Sequence, residues 1–152
     1  GLNILANWHN NPFPKDKGER IITPHPLEAS RLLGVSLNYI LNNLEDSAKA
    51  LSSKYHCITV LKTHRTVICN NNLEIYINKY GNSALAKSGS GDVLAGIICG
   101  LIAQKMDLFE ACKLGVYLHS RAGELASKDL TEYSVLASDL LRYIPSAIKE
   151  IL

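Results

Sequence analysis

A glycine-rich turn directly precedes the longest apolar run of the chain, and this pair constrains the fold most. The turn is Gly89-Ser90-Gly91-Asp92, and residues 93–103 are eleven consecutive apolar or small residues. A membrane-spanning helix needs about 20 such residues, so this run predicts a buried core helix. The glycines let the backbone approach a ligand closely, and the start of a helix offers unpaired N–H groups. The pattern therefore predicts a site for phosphate or for developing negative charge.

Two interpretations of Asp92 follow from its place after these glycines. A carboxylate repels bound phosphate, so it fits such a site if it takes a proton from a hydroxyl that attacks a phosphoryl group. The alternative is that Asp92 caps the helix, a common use of Asp that its spacing alone favours. Lys87, close by, is more often a solvated charge than a phosphate ligand.

A histidine between two prolines is the second candidate. It stands in the hexapeptide TPHPLE, residues 23–28. Each proline favours an extended conformation in the residue before it, so His25 is restrained at a predicted strand exit. Ligands of open α/β sheets gather at the carboxyl ends of strands, where His25 and Glu28 would face one crevice. The alternative is that His25 hydrogen-bonds locally while Glu28 complements the helix dipole.

A third polar segment follows residues 57–61, a continuous β-branched and apolar run that predicts a strand covered on both faces. The segment consists of Lys62, Thr63, His64, Arg65 and Thr66. Cationic side chains at the carboxyl end of a strand would suit a nucleotide. A solvated loop is the alternative, and the segment taken by itself favours it.

Alternating strand and helix patterns predict a layered α/β fold with one antiparallel hairpin. We predict a strand at residues 20–23, helices at 26–33, 35–54, 108–128 and 138–152, and a hairpin of residues 66–69 and 73–77. The first helix begins at Pro26 and stops at Gly34, and Pro145 kinks or breaks the last one. The hairpin turns at Asn70-Asn71-Asn72, since Asn tolerates left-handed backbone.

Some residues are predicted to have structural roles only. Gly96 and Gly100 lower helix propensity and predict close packing against a neighbouring element. His9, His56 and His119 have no local pattern around them and are interpreted as structural or surface residues. Cys57, Cys69, Cys99 and Cys112 lack metal-site spacing, and we expect most of them to be buried as small hydrophobic residues.

Composition and charge exclude several classes of protein. The 152 residues are 47% hydrophobic and 20% charged, which excludes disorder and collagen-like repeats and fits one domain with a core. A net charge of +2 disfavours a nucleic-acid or membrane-surface binder. The cysteine pattern indicates a reducing compartment, and we expect the cytoplasm. No signal peptide is recognised at the start, which opens abruptly at Gly1.

Taken together, the motifs resemble those of the NAD(P)H-hydrate dehydratases, which belong to the ribokinase-like superfamily. TPHPLE (residues 23–28) is similar to the family's TPHPGE, and LAKSGSGDVLAG (residues 85–96) is similar to its LAKGGSGDVLAG. LGVYLH (residues 114–119) and ASDL (residues 137–140) also recur in such proteins. The resemblance covers nearly the whole chain in order, and it implies a layered α/β/α fold.

The resemblance implies a nucleotide-repair enzyme. Such proteins use ADP or ATP, with Mg²⁺, to dehydrate the S form of hydrated NADH or NADPH. The 6-hydroxyl is phosphorylated and then eliminated as phosphate, which restores the reduced cofactor. A small-molecule kinase of the same superfamily is the alternative enzyme, although Pro-His-Pro favours the dehydratase. A nucleotide-binding module without catalysis is a third possibility.

Family roles carry over by position as expectations. Asp92 is the catalytic base and touches the hydrated dinucleotide, which His25 also contacts. The anion hole comprises Gly89, Ser90 and Gly91. Glu28 matches the glutamate that organises Mg²⁺ through water in related kinases. The adenine nucleotide would bind to Lys62, Thr63, His64, Arg65, Thr66 and Gly91.

Three residues depart from the family pattern, since Leu27, Thr63 and Ser88 each replace a glycine. Of these, Thr63 bears on a backbone contact to the nucleotide phosphates. Family domains are longer, so residues 1–152 are interpreted as a single domain portion, the carboxyl-terminal part of a ribokinase-like domain. We expect a homo-oligomer, and an NAD(P)H-hydrate epimerase domain fused in front as in some family members.

Overall fold

The computed structural model describes residues 1–7 and 18–152. These residues form two units, Gly1–Ile77 and Asn78–Leu152. The first contains α1 (Leu2–Ala6), β1 (Ile21–Ile22), α2 (Pro26–Leu33), α3 (Leu37–Asn42), α4 (Leu44–Tyr55), β2 (Ile58–Leu61), β3 (Val67–Cys69) and β4 (Ile75–Ile77). The second contains a 3₁₀ turn (Ser83–Leu85), α5 (Ser90–Ala103), α6 (Leu108–Ser134) and α7 (Ala137–Lys149).

The first unit is built on a sheet with strand order β1-β2-β3-β4. β1 runs parallel to β2, with Ile21 opposite Ile58, while β3 is antiparallel to both β2 and β4. Every residue of β2 is buried, as its uninterrupted apolar pattern predicts. The sheet therefore confirms the predicted α/β class with an antiparallel hairpin.

The hairpin turn differs from the prediction in which residue is left-handed. The positive φ of 64° belongs to Leu73 and not to an asparagine. Asn70 organises the turn through its side chain, because its Oδ1 accepts hydrogen bonds from the backbone N–H groups of Asn72 at 3.0 Å and Glu74 at 2.9 Å. These bonds fix the path of the backbone on both sides of Leu73 and offset the strain of its conformation.

Helix α2 begins and ends where the sequence predicts. Pro26 is its first residue, and Gly34 adopts the left-handed conformation that ends it, with φ of 71°. The buried residues Ala29 and Leu32 lie on its core side. The position of His25 just before α2 therefore follows from local sequence alone.

The single helix predicted at residues 35–54 is wrong, because the chain forms α3 and α4 with a break at Asn43. Asn43 has φ of −137° and ψ of 55°, and its Nδ2 donates to the carbonyl of Tyr39 at 2.9 Å. This side-chain bond takes the carbonyl that a continuing helix would use. α4 then packs on the sheet, where Ser52 Oγ lies 2.9 Å from Thr59 Oγ1 and 3.0 Å from the Cys69 carbonyl.

Two glycines of α6 allow close packing in the second unit. A Cβ built on Gly115 would lie 2.7 Å from Ile98 Cγ1, and one on Gly123 would lie 2.6 Å from Leu85 Cδ2. The packing predicted for Gly96 and Gly100 is wrong within the described part of the chain, since a Cβ there meets no atom within 4 Å. The close contacts lie instead on the opposing helix.

Helix α7 continues through Pro145, so of the two predicted outcomes, a kink or a break, the break is wrong. Proline at this position leaves the Leu141 carbonyl without its helical donor. Leu141 and Pro145 are both exposed, so water is able to supply the missing hydrogen bond. α6 is kinked at Thr131, where φ is 67° and ψ is 154°.

The cysteines agree with a structural interpretation at three of four positions. Cys57, Cys69 and Cys112 are fully buried, whereas Cys99 is exposed, and all four are free thiols. Burial raises the pKa of the Cys57 thiol to about 11 and that of Cys112 to about 12, so both stay protonated near neutral pH. No helix among the described residues is long and apolar enough to cross a membrane.

Gly115→Ala should lower the free energy of unfolding by about 1–3 kcal/mol, because the new methyl group overlaps Ile98 in a packed contact. Gly100→Ala in α5 is the matched control. It meets no described atom within 4 Å and should raise stability by about 0.5–1 kcal/mol, because alanine is the better helix former. Urea denaturation measures both changes. Shifts of the same sign would contradict the packing described for α6.

Candidate functional site

The first group of predicted site residues lies where β1 and β2 end. The two strands are parallel, and the backbone N–H of Lys62 donates to the Pro24 carbonyl at 2.8 Å. The segment around His25 and the segment from Lys62 to Thr66 are therefore neighbours at the carboxyl ends of adjacent strands. This arrangement is the one expected for a ligand site on an α/β sheet.

His25 and Glu28 form a reciprocal cap at the start of α2. The backbone N–H of Glu28 donates to His25 Nδ1 at 3.2 Å, and the backbone N–H of His25 donates to Glu28 Oε2 at 2.9 Å. The local role considered for both side chains is therefore present. A ring nitrogen that accepts carries no proton, so Nε2 carries the proton of the neutral ring. The cap fixes the ring while 46% of the side chain remains exposed.

The segment after β2 forms an ordered turn. Thr63 Oγ1 accepts from the backbone N–H of Arg65 at 3.2 Å, and Thr66 Oγ1 donates to the Thr63 carbonyl at 3.0 Å. Thr66 is buried, whereas His64 and Arg65 are exposed. The turn therefore orients a histidine and an arginine side chain outward.

A cleft of about 400 Å³ lies beside Arg65. One wall is the junction of α3 and α4, which contributes Leu41, Asn42, Asn43, Leu44, Glu45 and Asp46. Val67 of β3 and Ile77 of β4 complete the lining. Amide, carboxylate and apolar groups thus surround one cationic side chain. This mixture suits a ligand with both a polar and an apolar part.

The second group lies in the glycine-rich turn of the second unit. α5 begins at Ser90, earlier than predicted, with Gly89 at the capping position and φ of 86°. A Cβ on Gly89 would lie 3.2 Å from Cβ of Ala137. The left-handed backbone favours glycine at position 89, and a side chain there would also press on Ala137.

Asp92 does not cap α5, so the capping interpretation is wrong. Asp92 occupies the third position of the helix, and the capping position, Gly89, has no side-chain hydrogen bond. The Asp92 side chain is exposed. A carboxylate in the first turn interacts favourably with the helix dipole, yet its oxygens remain accessible to a ligand.

The start of α5 leaves backbone amides without partners. Ser90 donates its N–H to the Lys87 carbonyl at 3.2 Å, and Asp92 donates to Gly89 at 3.1 Å. Among the described residues, the N–H groups of Gly89 and Gly91 make no hydrogen bond. A glycine at the capping position has no side chain to occupy them. The turn is therefore able to bind an anion through these amides.

His119 contacts the glycine-rich turn, a contact that the sequence pattern did not predict. Its Nε2 lies 3.0 Å from Ser90 Oγ and 3.0 Å from the Ser90 carbonyl oxygen. Both residues are buried. The sequence signals at His119 are its place at the end of LGVYLH (residues 114–119) and the spacing of four that separates it from Gly115 and from Gly123. Of the other histidines, His56 ends α4 in left-handed conformation, and His9 lies outside the described residues.

The three departures from the family pattern are compatible with the backbone. None of Leu27, Thr63 and Ser88 has a positive φ. These positions therefore do not require the conformational freedom of glycine. At position 63 the threonine side chain contributes a hydrogen bond to the turn that glycine would lack.

Comparison with known proteins places these residues in a family. The NAD(P)H-hydrate dehydratase family matches residues 1–146. The ADP-dependent (S)-NAD(P)H-hydrate dehydratase of Neisseria meningitidis is 39% identical over 141 residues, which cover 92% of this chain and 46% of that protein. The bifunctional NAD(P)H-hydrate repair enzyme Nnr of Coxiella burnetii is 38% identical over 143 residues, covering 94% and 28% respectively.

Solved structures confirm the predicted ribokinase-like α/β fold. The ADP/ATP-dependent NAD(P)H-hydrate dehydratase from Bacillus subtilis, co-crystallized with ATP/Mg²⁺, matches with a TM-score of 0.88 and 33% identity, covering 94% of this chain and 52% of that one. A ribokinase-like superfamily protein from Enterococcus faecalis matches with a TM-score of 0.74 and 31% identity, covering 98% and 50%.

These matches cover most of this chain but about half or less of each relative. This chain spans 46% of the Neisseria meningitidis dehydratase and 28% of the bifunctional Coxiella burnetii enzyme. On the side of this chain, the family match covers nearly every residue, including the turn at Gly89 and the capped His25. The chain belongs to the NAD(P)H-hydrate dehydratase family.

Proposed function

We propose that this chain carries the phosphoryl-transfer and substrate-binding residues of an ADP- or ATP-dependent dehydratase. The enzyme would convert the S form of hydrated NADH or NADPH into NADH or NADPH, with release of phosphate. One observation carries the proposal: the exposed Asp92 carboxylate lies in the first turn of α5, whose Gly89 and Gly91 amides have no partners among the described residues.

Asp92 would act as the base of the first step. Its carboxylate accepts the proton of the substrate 6-hydroxyl, and the oxygen attacks the terminal phosphoryl group of the nucleotide. In the second step the C6–O bond breaks, phosphate leaves with the bonding electrons, and C5 of the ring loses a proton. The double bond that forms restores the reduced nicotinamide. Both steps balance without a redox partner.

The turn around Gly91 would stabilise the charge that develops on the transferred phosphoryl group. Free N–H groups at the start of a helix are already oriented before the reaction, so little free energy is needed to reorient them in the transition state. Gly89, Ser90 and Gly91 form this anion hole in the proposal. Lys87 contributes to the turn structurally, since its Nζ donates to the Tyr133 carbonyl at 3.3 Å.

Residues of the first unit would contact both nucleotides. His25, capped yet nearly half exposed, contacts the hydrated dinucleotide. The adenine nucleotide binds along the turn after β2, together with Gly91. The exposed Arg65 beside a cleft of about 400 Å³ supports this assignment. The residues proposed for that turn are Lys62, Thr63, His64, Arg65 and Thr66.

Mg²⁺ would enter with the nucleotide phosphates, which are its preferred partners in such sites. The described residues contain no cluster of three His, Cys, Asp or Glu side chains able to hold a metal ion. Glu28, proposed to organise Mg²⁺ through water, already uses Oε2 in the cap of α2. The described residues thus make no metal site of their own, and neither step of the reaction depends on one.

The remaining assignments concern the intact protein. We propose that residues 1–152 are a portion of one domain, which is the carboxyl-terminal part of the dehydratase. The free cysteines support a cytoplasmic location. A fused epimerase domain would agree with the relatives named bifunctional repair enzymes. Assembly as a homo-oligomer stays a prediction.

Arg65→Ala should weaken ADP or ATP binding by about 1–3 kcal/mol, because a charge-assisted contact to phosphate is lost. Calorimetry on the intact protein measures the affinity. Arg142→Ala is the control, since it removes the same charge from the exposed surface of α7. Equal affinities for wild type and Arg65→Ala would reduce the segment after β2 to an ordinary loop.

Asp92→Asn should lower turnover by about 10²–10⁴-fold, because the amide cannot accept the proton of the substrate hydroxyl. Asp92 caps no backbone group, so the loss of stability should stay within about 1 kcal/mol, the value of its interaction with the helix dipole. The recovery of NADH absorbance from hydrated NADH, with Mg²⁺ and ADP or ATP, measures turnover in the intact protein.

Glu110→Gln is the matched control for Asp92→Asn, because Glu110 is the first-turn acid of α6. It removes the same charge from the start of another helix and should leave turnover unchanged. Wild-type turnover in a folded Asp92→Asn protein would refute the assignment of the base. Accumulation of a stable phosphorylated product, without NADH, would instead favour a small-molecule kinase.

A further inference from the structure

A buried histidine contacts the residue between the two anion-hole glycines. His119 Nε2 lies 3.0 Å from both the hydroxyl and the carbonyl oxygen of Ser90. His119 is 7% exposed and Ser90 is 2% exposed, so water does not compete for this contact. A hydrogen bond shielded in this way is stronger than one at the surface and restrains both groups.

The contact identifies which atom carries the proton. A carbonyl oxygen only accepts hydrogen bonds, so a nitrogen 3.0 Å from it must donate. Nε2 of His119 therefore carries a proton and holds the Ser90 carbonyl, with the Ser90 hydroxyl beside it. The hydroxyl and the carbonyl oxygen of Ser90 therefore both contact the same imidazole nitrogen.

The direction of the Ser90 side chain affects the amides on either side. Serine near the start of a helix commonly bonds to nearby backbone N–H groups. Here its hydroxyl is turned inward against His119. The N–H of Gly91 is left without a partner among the described residues.

His119 stands on a face of α6 that reaches the turn directly. Gly115 and Gly123 lie one helical turn before and after it, and their missing side chains admit Ile98 and Leu85 at close range. Ile98 belongs to α5 and Leu85 lies ahead of the turn. α6 thus approaches the segment on both sides of Ser90 closely enough for the imidazole to reach it.

We propose that His119 is a positioning residue: through Ser90 it orients the free amides of Gly89 and Gly91 toward the transferred phosphoryl group. The proposal deepens the dehydratase function and rests on it for the identity of the anion. His119 touches neither nucleotide nor substrate in this role. Its effect appears in the transition state, where charge grows on the phosphoryl group, more than in substrate binding.

Two substitutions in the intact protein test this role. His119→Leu keeps apolar volume but removes the donor, and kcat should fall by about 10–100-fold, with KM for the nucleotide nearly unchanged. His119→Gln keeps an N–H donor close to the position of Nε2 and should retain kcat within about three-fold. NMR of the ¹⁵N-labelled protein should show shifted Gly89 and Gly91 amide signals in His119→Leu only.

Ser127→Ala is the matched control. Ser127 also lies on α6, and its Oγ accepts a hydrogen bond from Asn82 Nδ2 at 3.0 Å, ahead of the turn. A purely structural contribution of α6 predicts that this variant and His119→Leu lose thermal stability and nothing else. The positioning role predicts that Ser127→Ala keeps kcat and the glycine amide signals.

The outcomes separate the two proposals. Normal kcat and unmoved glycine amides in His119→Leu would overturn the positioning role, and so would equal loss of kcat in His119→Gln. Should His119→Leu fail to fold, His119→Gln and Ser90→Ala decide through the same kcat and amide signals. Absence of dehydration in the wild type would refute the proposed function. The positioning role then stands or falls on whether inorganic phosphate shifts the Gly91 amide in wild type and not in His119→Leu.

Discussion

The candidate site of the second unit depends on the contacts that α6 makes with the segment that leads into α5. Residues 78–89 contain only one short 3₁₀ turn, so their backbone has few hydrogen bonds of its own to hold it. α6 contacts the segment through its own side chains instead: Asn78 Nδ2 donates to Ser120 Oγ at 2.9 Å, the Gly81 N–H donates to Glu124, and the Ser90 hydroxyl lies against His119. A loop held at several points by one rigid helix keeps its geometry without a ligand, as catalysis through fixed dipoles requires.

The close approach of α6 to this segment requires small residues on α6. Glycine inside a helix costs about 1 kcal/mol relative to alanine. Gly115 and Gly123 incur that cost, yet each admits an aliphatic side chain at a distance that no Cβ would permit. Because Gly115, His119 and Gly123 are spaced four residues apart, the two apolar contacts and the His119 hydrogen bond lie on one face of α6. At Gly115 the close contact with Ile98 outweighs this propensity cost, because an added methyl group would overlap Ile98.

Local rules predicted the elements whose causes lie within a few residues. The proline and glycine that bound α2, the buried strand β2 and the glycine turn before α5 follow from backbone preferences alone. Competition between side chain and backbone was harder to predict, as the break at Asn43 shows. The contact of His119 with Ser90 was out of reach, because the two residues are 29 positions apart and no periodicity links them.

Spacing alone favours a helix cap for an Asp in such a turn, and Asp92 shows where that rule fails. Short Gly/Ser/Asp turns usually place the carboxylate where it satisfies the first backbone amides of the helix. Here a glycine with φ of 86° takes that position, which moves Asp92 into the first turn and leaves the Gly91 N–H free among the described residues. Any other residue at position 89 would have a strained backbone, and a polar side chain there would hydrogen-bond to the free amide. The helix thus forgoes the usual stabilisation of a cap, and a phosphoryl group is the ligand whose charge would restore it.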